Sequence, residues 1–256
     1  MLTFPNAKIN IGLFITQKRE DGYHNLETIF YPVKQLKDAL EIVPASGPTG
    51  ISLSGLTVAG SEKNNLVWKA YELIQKRMEG QLPAIRIFLQ KAIPMGAGLG
   101  GGSADGAFML RLLNDYYKLG IEVEELAAMS LQLGSDCPFF MYNTPQFAVG
   151  RGERMVPISL DLSGYDIRLV HPRIHVATKE AFSRVQPGSS GFDLRQLSAD
   201  DITNWKNYVV NDFEAPVLAQ HPVLQKIKQQ LYDEGAIYAS MSGSGSSFYG
   251  IFKKNK

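Results

Sequence analysis

Residues 93–107 read IPMGAGLGGGSADGA, and six of these fifteen residues are glycine. The stretch joins AIRIFLQKAIP (84–94), whose apolar residues alternate as in a strand, to AFMLRLLNDYYKL (107–119), whose apolar residues have helical spacing. Glycine adopts positive φ and has no side chain to keep a ligand away from the backbone N–H groups. Because the positive end of the helix dipole points at the same place, the stretch predicts a loop that binds an anion such as phosphate.

Two better-known glycine motifs fit this loop poorly. Gly96, Gly98 and Gly101 form G-x-G-x-x-G, but a dinucleotide fold also needs a strand that ends in an acidic residue about 20 positions further on. Here that distance falls inside the helical LLNDYYKL (112–119). A Walker A loop needs a lysine before its Ser or Thr, and residues 94–107 contain none. A flexible linker is the remaining alternative, and it is disfavoured because linkers seldom join a strong strand directly to a strong helix.

The rest of the chain mixes strand and helix patterns without regular alternation. Strands are predicted at 8–15, 26–33, 38–44, 51–56, 84–94, 167–178 and both ends of 236–252, and helices at 64–78, 107–119, 122–133 and 222–235. Residues 149–157 and 161–166 are rich in turn residues, and 186–203 is predicted to be a surface loop with one short element. This mixture predicts an α+β fold in two lobes, residues 1–150 and 151–256.

Composition excludes several classes of protein. The 256 residues carry a formal net charge of +1, so the charge balance calls for neither nucleic acid nor an anionic membrane as a partner. One cysteine, Cys137, allows no intrachain disulfide and no cysteine-based zinc cluster, and it is interpreted as a small buried apolar residue. The amino terminus has no signal-peptide pattern, and no stretch approaches the ~18 apolar residues of a membrane span. A cytoplasmic protein is therefore expected.

The glycine stretch and three other motifs together resemble a known superfamily. PMGAGLGGGSADGA (94–107) is similar to the phosphate-binding motif of the GHMP kinases, which include galactokinase and the homoserine, mevalonate and phosphomevalonate kinases. PNAKINIGLFITQKREDGYHNLET (5–28), GSDCPFF (134–140) and MSGSGSSFYG (241–250) resemble other motifs of the superfamily, so the likeness covers nearly the whole chain. The triple glycine before Ser-Ala-Asp, with the Asp-Gly-Tyr-His turn, is most similar to one branch. That branch phosphorylates 4-diphosphocytidyl-2-C-methyl-D-erythritol in non-mevalonate isoprenoid biosynthesis.

Departures from the superfamily pattern are small. Ala97 stands where a further glycine is common, and Ser246 and Ser247 occupy a variable position. Neither change removes a reactive group. The chain is also rather short for the branch.

The resemblance implies a fold and a donor site. It implies an N-terminal lobe like ribosomal protein S5, a ferredoxin-like C-terminal lobe, and an active site in the cleft between them. ATP with Mg²⁺ is the expected cofactor pair, and Ser103 and Asp136 are candidate Mg²⁺ ligands. The residues implied to bind ATP are Asn65, Lys91, Pro94, Met95, Gly96, Ala97, Gly98, Leu99, Gly100, Gly101, Gly102, Ser103 and Ala104.

Asp136 and Lys8 are the predicted catalytic pair. Phosphoryl transfer needs a group that accepts the proton of the attacking hydroxyl, and a carboxylate suits this task. The sequence alone favours Asp136 as a helix-terminal residue that satisfies local N–H groups, and Lys8 as a solvated side chain on a strand. The resemblance instead makes Asp136 the base and Lys8 the cation that holds it ionised.

The acceptor site is predicted from five residues. Asn10 shares a strand face with Lys8, since strand side chains alternate, and is a candidate for substrate binding. The resemblance assigns His24 to cytosine recognition, Tyr23 and Thr178 to the substrate pocket, and Phe182 to stacking on the base. The alternative for the Tyr-His pair is a surface turn with an incidental aromatic residue.

Three functions remain open from the sequence. The first is a kinase of the cytidine-diphosphate acceptor, and the second is the same chemistry on another small alcohol such as homoserine or mevalonate. The second leaves the Tyr-His turn and the Ser-Ala-Asp ending unexplained. The third is a nucleotide-binding regulatory protein without catalysis, and the presence of both Lys8 and Asp136 argues against it. The sequence leaves the oligomeric state open.

Overall fold

The computed structural model describes residues 1–58 and 60–254. Within these residues the strands are β1 (Leu2–Thr3), β2 (Asn6–Lys18), β3 (His24–Lys37), β4 (Ala39–Pro44), β5 (Gly50–Gly55), β6 (Ile85–Lys91), β7 (Gln146–Gly150), β8 (Arg154–Pro157), β9 (Tyr165–Val170), β10 (Tyr238–Met241) and β11 (Phe248–Lys253). The α-helices are α1 (Leu66–Arg77), α2 (Gly101–Tyr117), α3 (Val123–Leu131), α4 (Cys137–Tyr142), α5 (Thr178–Arg184), α6 (Glu214–Gln220) and α7 (Pro222–Asp233). Short 3₁₀ helices cover Glu62–Asn64, Leu194–Gln196 and Ala199–Asn207.

The chain forms two compact units that are discontinuous in sequence. The first contains residues 1–7, 32–95 and 100–144, and the second contains residues 8–31, 96–99 and 145–256. Residues 8–31 join the second unit because Leu13 exchanges backbone hydrogen bonds with Val210 and Asp212, both 2.9 Å long. The single lobe boundary near residue 150 stays a prediction.

A four-stranded sheet organises the first unit. Its strand order is β1-β4-β6-β5, with β5 parallel to β6 and the other pairs antiparallel. Strand β6 alternates between buried and exposed residues, as its sequence predicted, with Ile85, Ile87 and Leu89 inside. Lys91 continues the buried side of the strand, so this cation lies where an apolar residue is expected.

The helices of the first unit begin close to the predicted places, with two differences. Asn65 caps α1 as expected, since its side chain accepts a hydrogen bond of 2.9 Å from the Val67 N–H. Helix α2 begins at Gly101, six residues before the predicted helix, because the small residues after the glycines already adopt helical geometry. Helix α4 was not predicted; it is only six residues long and begins with Pro138 in its first turn.

The second unit holds most of β2, the first part of β3, and all of β7 and β8, in a sheet of order β2-β3-β7-β8 whose β3–β7 and β7–β8 pairs are antiparallel. It also holds an antiparallel sheet of order β10-β11-β9. The interpretation of 149–157 as turn-rich was incomplete, because residues 151–153 do form a turn but it is the tip of a hairpin whose strands were not predicted. Val149 pairs with Arg154, and the Gly152 N–H donates to the Val149 carbonyl. The glycines therefore close the turn while the residues on either side pair as β7 and β8.

Other parts of the second unit follow the sequence unevenly. The strand–loop–strand prediction for 236–252 is confirmed by β10 and β11, and the 222–235 helix by α7. The strand prediction for 167–178 was only half right, because β9 ends at Val170 just before Pro172, which has no N–H for a ladder. Residues 186–203 hold parts of two 3₁₀ helices rather than one element, and Leu194 among them is fully buried.

The apolar core of the second unit joins its helices to strands β10 and β11. Buried residues from six segments meet there: Leu13, Ile15, Ala181, Phe213, Val217, Leu224, Leu231, Met241 and Phe248. Phe182 packs against the same cluster, with its ring 4.8 Å from that of Phe213. No helix among residues 1–58 and 60–254 is long and apolar enough to cross a bilayer.

Candidate active site

The second half of the glycine stretch forms the amino-terminal end of α2. Gly100 is the N-cap with φ of 71°, and the first intrahelical hydrogen bond runs from the Ala104 N–H to the Gly100 carbonyl at 2.8 Å. The N–H groups of Gly101, Gly102 and Ser103 precede this first bond, so they are available to a ligand. The 17-residue helix adds its dipole at the same end. This geometry is that of an anion-binding helix terminus.

Gly101 has a packing role in addition to any contact with a ligand. A Cβ atom at this position would lie 2.7 Å from Cγ2 of Ile93 and 3.0 Å from its Cβ. At Gly102, by contrast, the nearest atom to a Cβ would be the flexible end of Met95, at 3.2 Å. A side chain at Gly101 would therefore push α2 away from the residues that follow β6.

The first half of the stretch belongs to the second unit and is tied to the C-terminal glycine motif. The Ser242 hydroxyl donates to the Gly98 carbonyl at 2.8 Å, and the Ser247 N–H donates to the Ala97 carbonyl at 3.2 Å. Gly98 has φ of 78°, and a Cβ there would overlap the carbonyl oxygen of Ser242. The stretch is thus a fixed structure, and the linker alternative fails.

A buried charge cluster lies at the end of β6. The Lys91 ammonium contacts carboxylate oxygens of Asp38 and Asp105, the latter at 2.6 Å, and all three side chains are at most 3% exposed. The other Asp38 oxygen accepts hydrogen bonds from the N–H groups of Ala92 and Ile93, at 2.5 and 2.8 Å. The cluster therefore fixes the backbone that leads into the glycine stretch.

Asp105 is the carboxylate of this cluster whose burial is least well compensated. Its Oδ1 atom is buried without a hydrogen-bond partner among the described residues. Burial raises the pKa of the Asp105 carboxyl well above its usual value; the Lys91 charge opposes the rise, and the Asp38 charge adds to it. Two carboxylates share one ammonium here, and Asp38 also accepts two backbone hydrogen bonds, so Asp105 is the carboxyl that bears the cost of burial.

We expect Asp105→Asn to remove a pH-dependent loss of stability. A carboxyl with a raised pKa in the folded state binds more protons folded than unfolded, so stability falls as pH rises from its unfolded pKa of 3.8. The melting temperature of the variant should therefore gain on that of the wild type as the pH rises above 3.8. Asp115→Asn, at an exposed position of the same helix, is the matched control. Parallel melting curves for Asp105→Asn and wild type across this range would contradict the assignment.

A small cavity of about 100 Å³ lies beside the start of α2 in the first unit. Its lining residues are Val58, Ser61, Asn64, Asn65, Leu66, Lys91, Met95, Gly102 and Asp105. Four predicted ATP-binding residues are among them, which places a mixed polar and apolar slot next to the anion site. The Asn65 side chain also caps α1, and the Lys91 ammonium is committed to two carboxylates, so their contacts with ATP stay predictions.

Ser103 and Asp136 lie on neighbouring helices of the first unit. Asp136 is the N-cap of α4, and its side chain makes no capping bond to the described residues of that helix. Its role as the base stays a prediction. Burial raises the pKa of the adjacent Cys137 thiol to about 12, while a hydrogen bond with Ser103 opposes the rise. Cys137 is fully buried and stays protonated, which agrees with a packing role. The Ser103 hydroxyl and the Asp136 carboxylate are oxygen donors of the kind that Mg²⁺ prefers, so the two fit the predicted metal.

Lys8 is buried in the second unit, which excludes the solvated alternative. The residue is 4% exposed, its ammonium donates to the Asn10 side-chain oxygen at 2.6 Å, and it lies 4.8 Å from the centre of the Phe30 ring. The Asn10 amide in turn donates to the Thr28 hydroxyl at 3.0 Å. Lys8 and Asn10 therefore share a face, as alternation predicted. Asp136 belongs to the first unit, and its pairing with Lys8 stays a prediction.

One cavity of about 510 Å³ in the second unit gathers the predicted acceptor residues. Tyr23, His24, Thr178 and Phe182 all line it. The rings of His24 and Phe182 stack, with centres 5.1 Å apart and planes 26° apart. The volume falls in the usual range for small-molecule sites. Four residues from two distant segments thus form one aromatic pocket; Asn10, the fifth, does not line it.

The electrostatics of this cavity suit a neutral base and an anionic group. Burial lowers the pKa of His24, and the charge of Lys18 lowers it further, so the imidazole is neutral at pH 7. Lys18 and Lys179 also line the cavity, and sequence reasoning missed both. Isolated lysines carry no recognisable motif, so only their position in the folded chain reveals them.

Two family models match the chain. The model of the GHMP kinases N terminal domain matches residues 65–144, and that of the GHMP kinases C terminal domain matches residues 193–256. The first span includes the glycine stretch and Asp136, and the second includes the C-terminal glycine motif. These matches define the class of protein, an ATP-dependent kinase built from the two GHMP domains.

Individual relatives narrow the class. A Bacteroides fragilis (strain YCH46) protein, 4-diphosphocytidyl-2-C-methyl-D-erythritol kinase, is 51% identical over 255 residues, which cover 98% of this chain and 92% of that protein. A crystal structure of 4-(cytidine 5'-diphospho)-2C-methyl-D-erythritol kinase aligns with a TM-score of 0.82 and 32% identity, over 98% of this chain and 90% of the other. The chain belongs to the 4-diphosphocytidyl-2-C-methyl-D-erythritol kinase family of GHMP kinases.

A more distant structure shares only the fold. Homoserine kinase from Cytophaga hutchinsonii aligns with a TM-score of 0.71 over 98% of this chain and 85% of that chain, at 16% identity. The α+β GHMP-kinase fold predicted from the sequence is thereby confirmed.

Proposed function

We propose that the chain transfers the γ-phosphate of ATP to the 2-hydroxyl of 4-diphosphocytidyl-2-C-methyl-D-erythritol, a step of non-mevalonate isoprenoid biosynthesis. The observation that carries the choice of acceptor is the aromatic cavity lined by Tyr23, His24, Thr178 and Phe182. A flat base would stack on an aromatic ring of this cavity, and a neutral imidazole would offer one donor and one acceptor to its edge. A kinase for a small aliphatic alcohol has no use for such a pocket.

On the donor side, we assign the phosphates of ATP to the glycine stretch. The N–H groups of Gly101, Gly102 and Ser103 and the α2 dipole supply positive charge without a mobile side chain. Ser103 and Asp136 would hold Mg²⁺, which offsets the charge that develops on the transferred group when the metal is bound. The buried Lys91 cluster keeps the approach to the loop rigid.

At the reacting centre, we assign the proton transfer to Asp136. The acceptor's 2-hydroxyl oxygen attacks the γ-phosphorus, the bond to the bridging oxygen breaks, and ADP leaves with its electron pair. The hydroxyl proton passes to the Asp136 carboxylate. We assign to Lys8 the task of keeping that carboxylate ionised; its own position is held by Asn10.

The acceptor would be bound at its cytosine end, far from its reacting hydroxyl. The cytosine ring and the methylerythritol end lie on opposite sides of a diphosphate, so binding energy at the base can position the hydroxyl. Lys18 and Lys179 are the cations of the cavity that suit the diphosphate.

The test is a transfer assay with purified chain, Mg²⁺ and ATP labelled at the γ-phosphate. Label should pass to the cytidylated acceptor, and ADP release should depend on that acceptor. Label on homoserine or mevalonate instead would favour the other-alcohol function. ATP binding without label transfer to any of these alcohols would favour the regulatory protein. The cytoplasmic location, and a chain that binds neither nucleic acid nor membrane, stay predictions.

Phe182→Ala is expected to weaken acceptor binding by about 1–3 kcal/mol, the range for a base stacked on an aromatic ring. ATP affinity should change little, because Phe182 contacts His24 and Phe213 and no residue of the glycine stretch in the described contacts. Calorimetric titration with each ligand separates the two effects. Phe192→Ala, an aromatic residue of the same unit outside the cavity, is the control. Equal losses of ATP and acceptor affinity would argue against a base-stacking role.

A further inference from the structure

Residues 211–214 carry buried polar groups that the proposed chemistry does not use. The segment Asn-Asp-Phe-Glu follows the 3₁₀ helix Ala199–Asn207 and ends on the first residue of α6. Asn211 is 4% exposed and Glu214 is 9% exposed. Buried polar side chains are costly unless their hydrogen bonds are satisfied, so the partners of these groups show what the segment holds in place.

The Asn211 side chain hydrogen-bonds to the backbone of the C-terminal glycine motif (241–250). Its amide nitrogen donates to the carbonyl of Met241 at 2.7 Å and to the carbonyl of Gly243 at 2.9 Å. Its side-chain oxygen accepts from the Phe213 N–H at 2.9 Å. The two carbonyls flank Ser242, so a single amide fixes the backbone on both sides of that serine.

Ser242 connects this grip to two parts of the proposed site. Its hydroxyl donates to the Gly98 carbonyl in the glycine stretch at 2.8 Å. The same oxygen accepts from the Asn10 N–H at 3.2 Å, two residues from Lys8 on β2. Ser242 is fully buried, so no solvent hydrogen bond can replace either contact.

Two neighbouring residues of the segment hydrogen-bond to the chain just before Ser242 and to β2. Glu214 accepts from the Met241 N–H at 2.7 Å and from the Ser240 hydroxyl at 2.8 Å. Asp212 accepts from the Ile15 N–H of β2 at 2.7 Å. Asn211 hydrogen-bonds to the carbonyls on both sides of Ser242, which makes it the residue to test.

We propose that Asn211 is a positioning residue for phosphoryl transfer, acting through Ser242 to fix the glycine stretch at Gly98 and strand β2 beside Lys8. The inference rests on the proposed function in one respect, that the glycine stretch binds ATP. An amide is required because it donates twice and accepts once at the same position. A carboxylate of the same shape would place an oxygen against two carbonyl oxygens, which repels them.

The test compares Asn211→Asp, Ser242→Ala and the double variant with the wild type. Asn211→Asp should lower kcat/KM for ATP by about 10–100-fold, since a displacement of about 1 Å can cost 10²-fold. The dissociation constant of the cytidylated acceptor should change less than about twofold, because neither residue lines the aromatic cavity. Ser242→Ala should lower the same ATP parameter, and the double variant should lose less than the sum of the two in log units. Asn207→Asp makes the same chemical change at an exposed site nearby and should have no effect.

Three results would overturn this role. One is a folded Asn211→Asp protein with wild-type kcat/KM for ATP. Another is equal loss of ATP and acceptor binding in proportion to the unfolded fraction, which would mean a purely structural role. The third is strict additivity of the two substitutions. If Asn211→Asp does not fold, Ser242→Ala decides the case, because unchanged kcat/KM for ATP in that variant removes the proposed link. A wild-type protein without phosphoryl transfer would contradict the proposed function instead.

Discussion

Asp136→Asn is expected to lower kcat by about 10²–10⁴-fold, the usual contribution of a general base. ATP affinity should change far less, because the base acts mainly in the transition state. Asparagine keeps the shape of the side chain, and Asp136 makes no capping bond to α4 among the described residues, so the helix should persist. Single-turnover kinetics and ATP titration measure the two effects. Asp115→Asn, exposed on α2, is the matched control. A kcat within about threefold of wild type would exclude Asp136 as the base.

A substitution of Lys8 tests the other member of the predicted catalytic pair. Since Lys8 is buried against Phe30 and Asn10, Lys8→Met preserves packing better than alanine does. Its loss of kcat should resemble that of Asp136→Asn. The double variant should lose less than the sum of the two in log units if the residues act as a unit. Independent, additive losses would mean that Lys8 does not act through Asp136.

Local sequence patterns predicted the elements whose signals are local. The period-two pattern of 84–94 gave β6, and the helical spacing of 64–78 with its Asn cap gave α1. The hairpin of β7 and β8 was not predicted, because its glycines were taken to indicate a loop although they occupy only the turn. Helix α4 was not predicted, because six residues are too few to reveal the helical periodicity of apolar residues.

The predicted site was visible from the sequence only where it carries motifs. The resemblance brought Tyr23, His24, Thr178 and Phe182 together, and the structure places all four in one cavity. The Asp38–Lys91–Asp105 cluster had no such signal, because Asp38 lies 53 residues from its partner Lys91. Lys91 did stand on the buried side of a strand pattern, and a lysine is almost never fully buried without a partner. That rule demands a partner without naming it.

The acceptor without its cytidine should be phosphorylated very poorly. 2-C-methylerythritol 4-phosphate keeps the reacting hydroxyl and loses everything that Tyr23, His24 and Phe182 are proposed to contact. Remote binding energy then no longer positions the hydroxyl, so both kcat and KM should suffer. Holding the reactants in the right orientation can lower the activation free energy by roughly 7–11 kcal/mol, so even a partial loss of positioning has a large effect on the rate.

A comparison of kcat/KM for the two acceptors, at the same ATP and Mg²⁺ concentrations, tests the central assignment most directly. We expect kcat/KM for 4-diphosphocytidyl-2-C-methyl-D-erythritol to exceed that for 2-C-methylerythritol 4-phosphate by at least about 10³-fold. In Phe182→Ala this ratio should shrink, because the full acceptor loses a contact that the short one never makes. Similar values for the two acceptors in the wild-type enzyme would mean that the cytidine is not recognised, and the proposed substrate would be wrong.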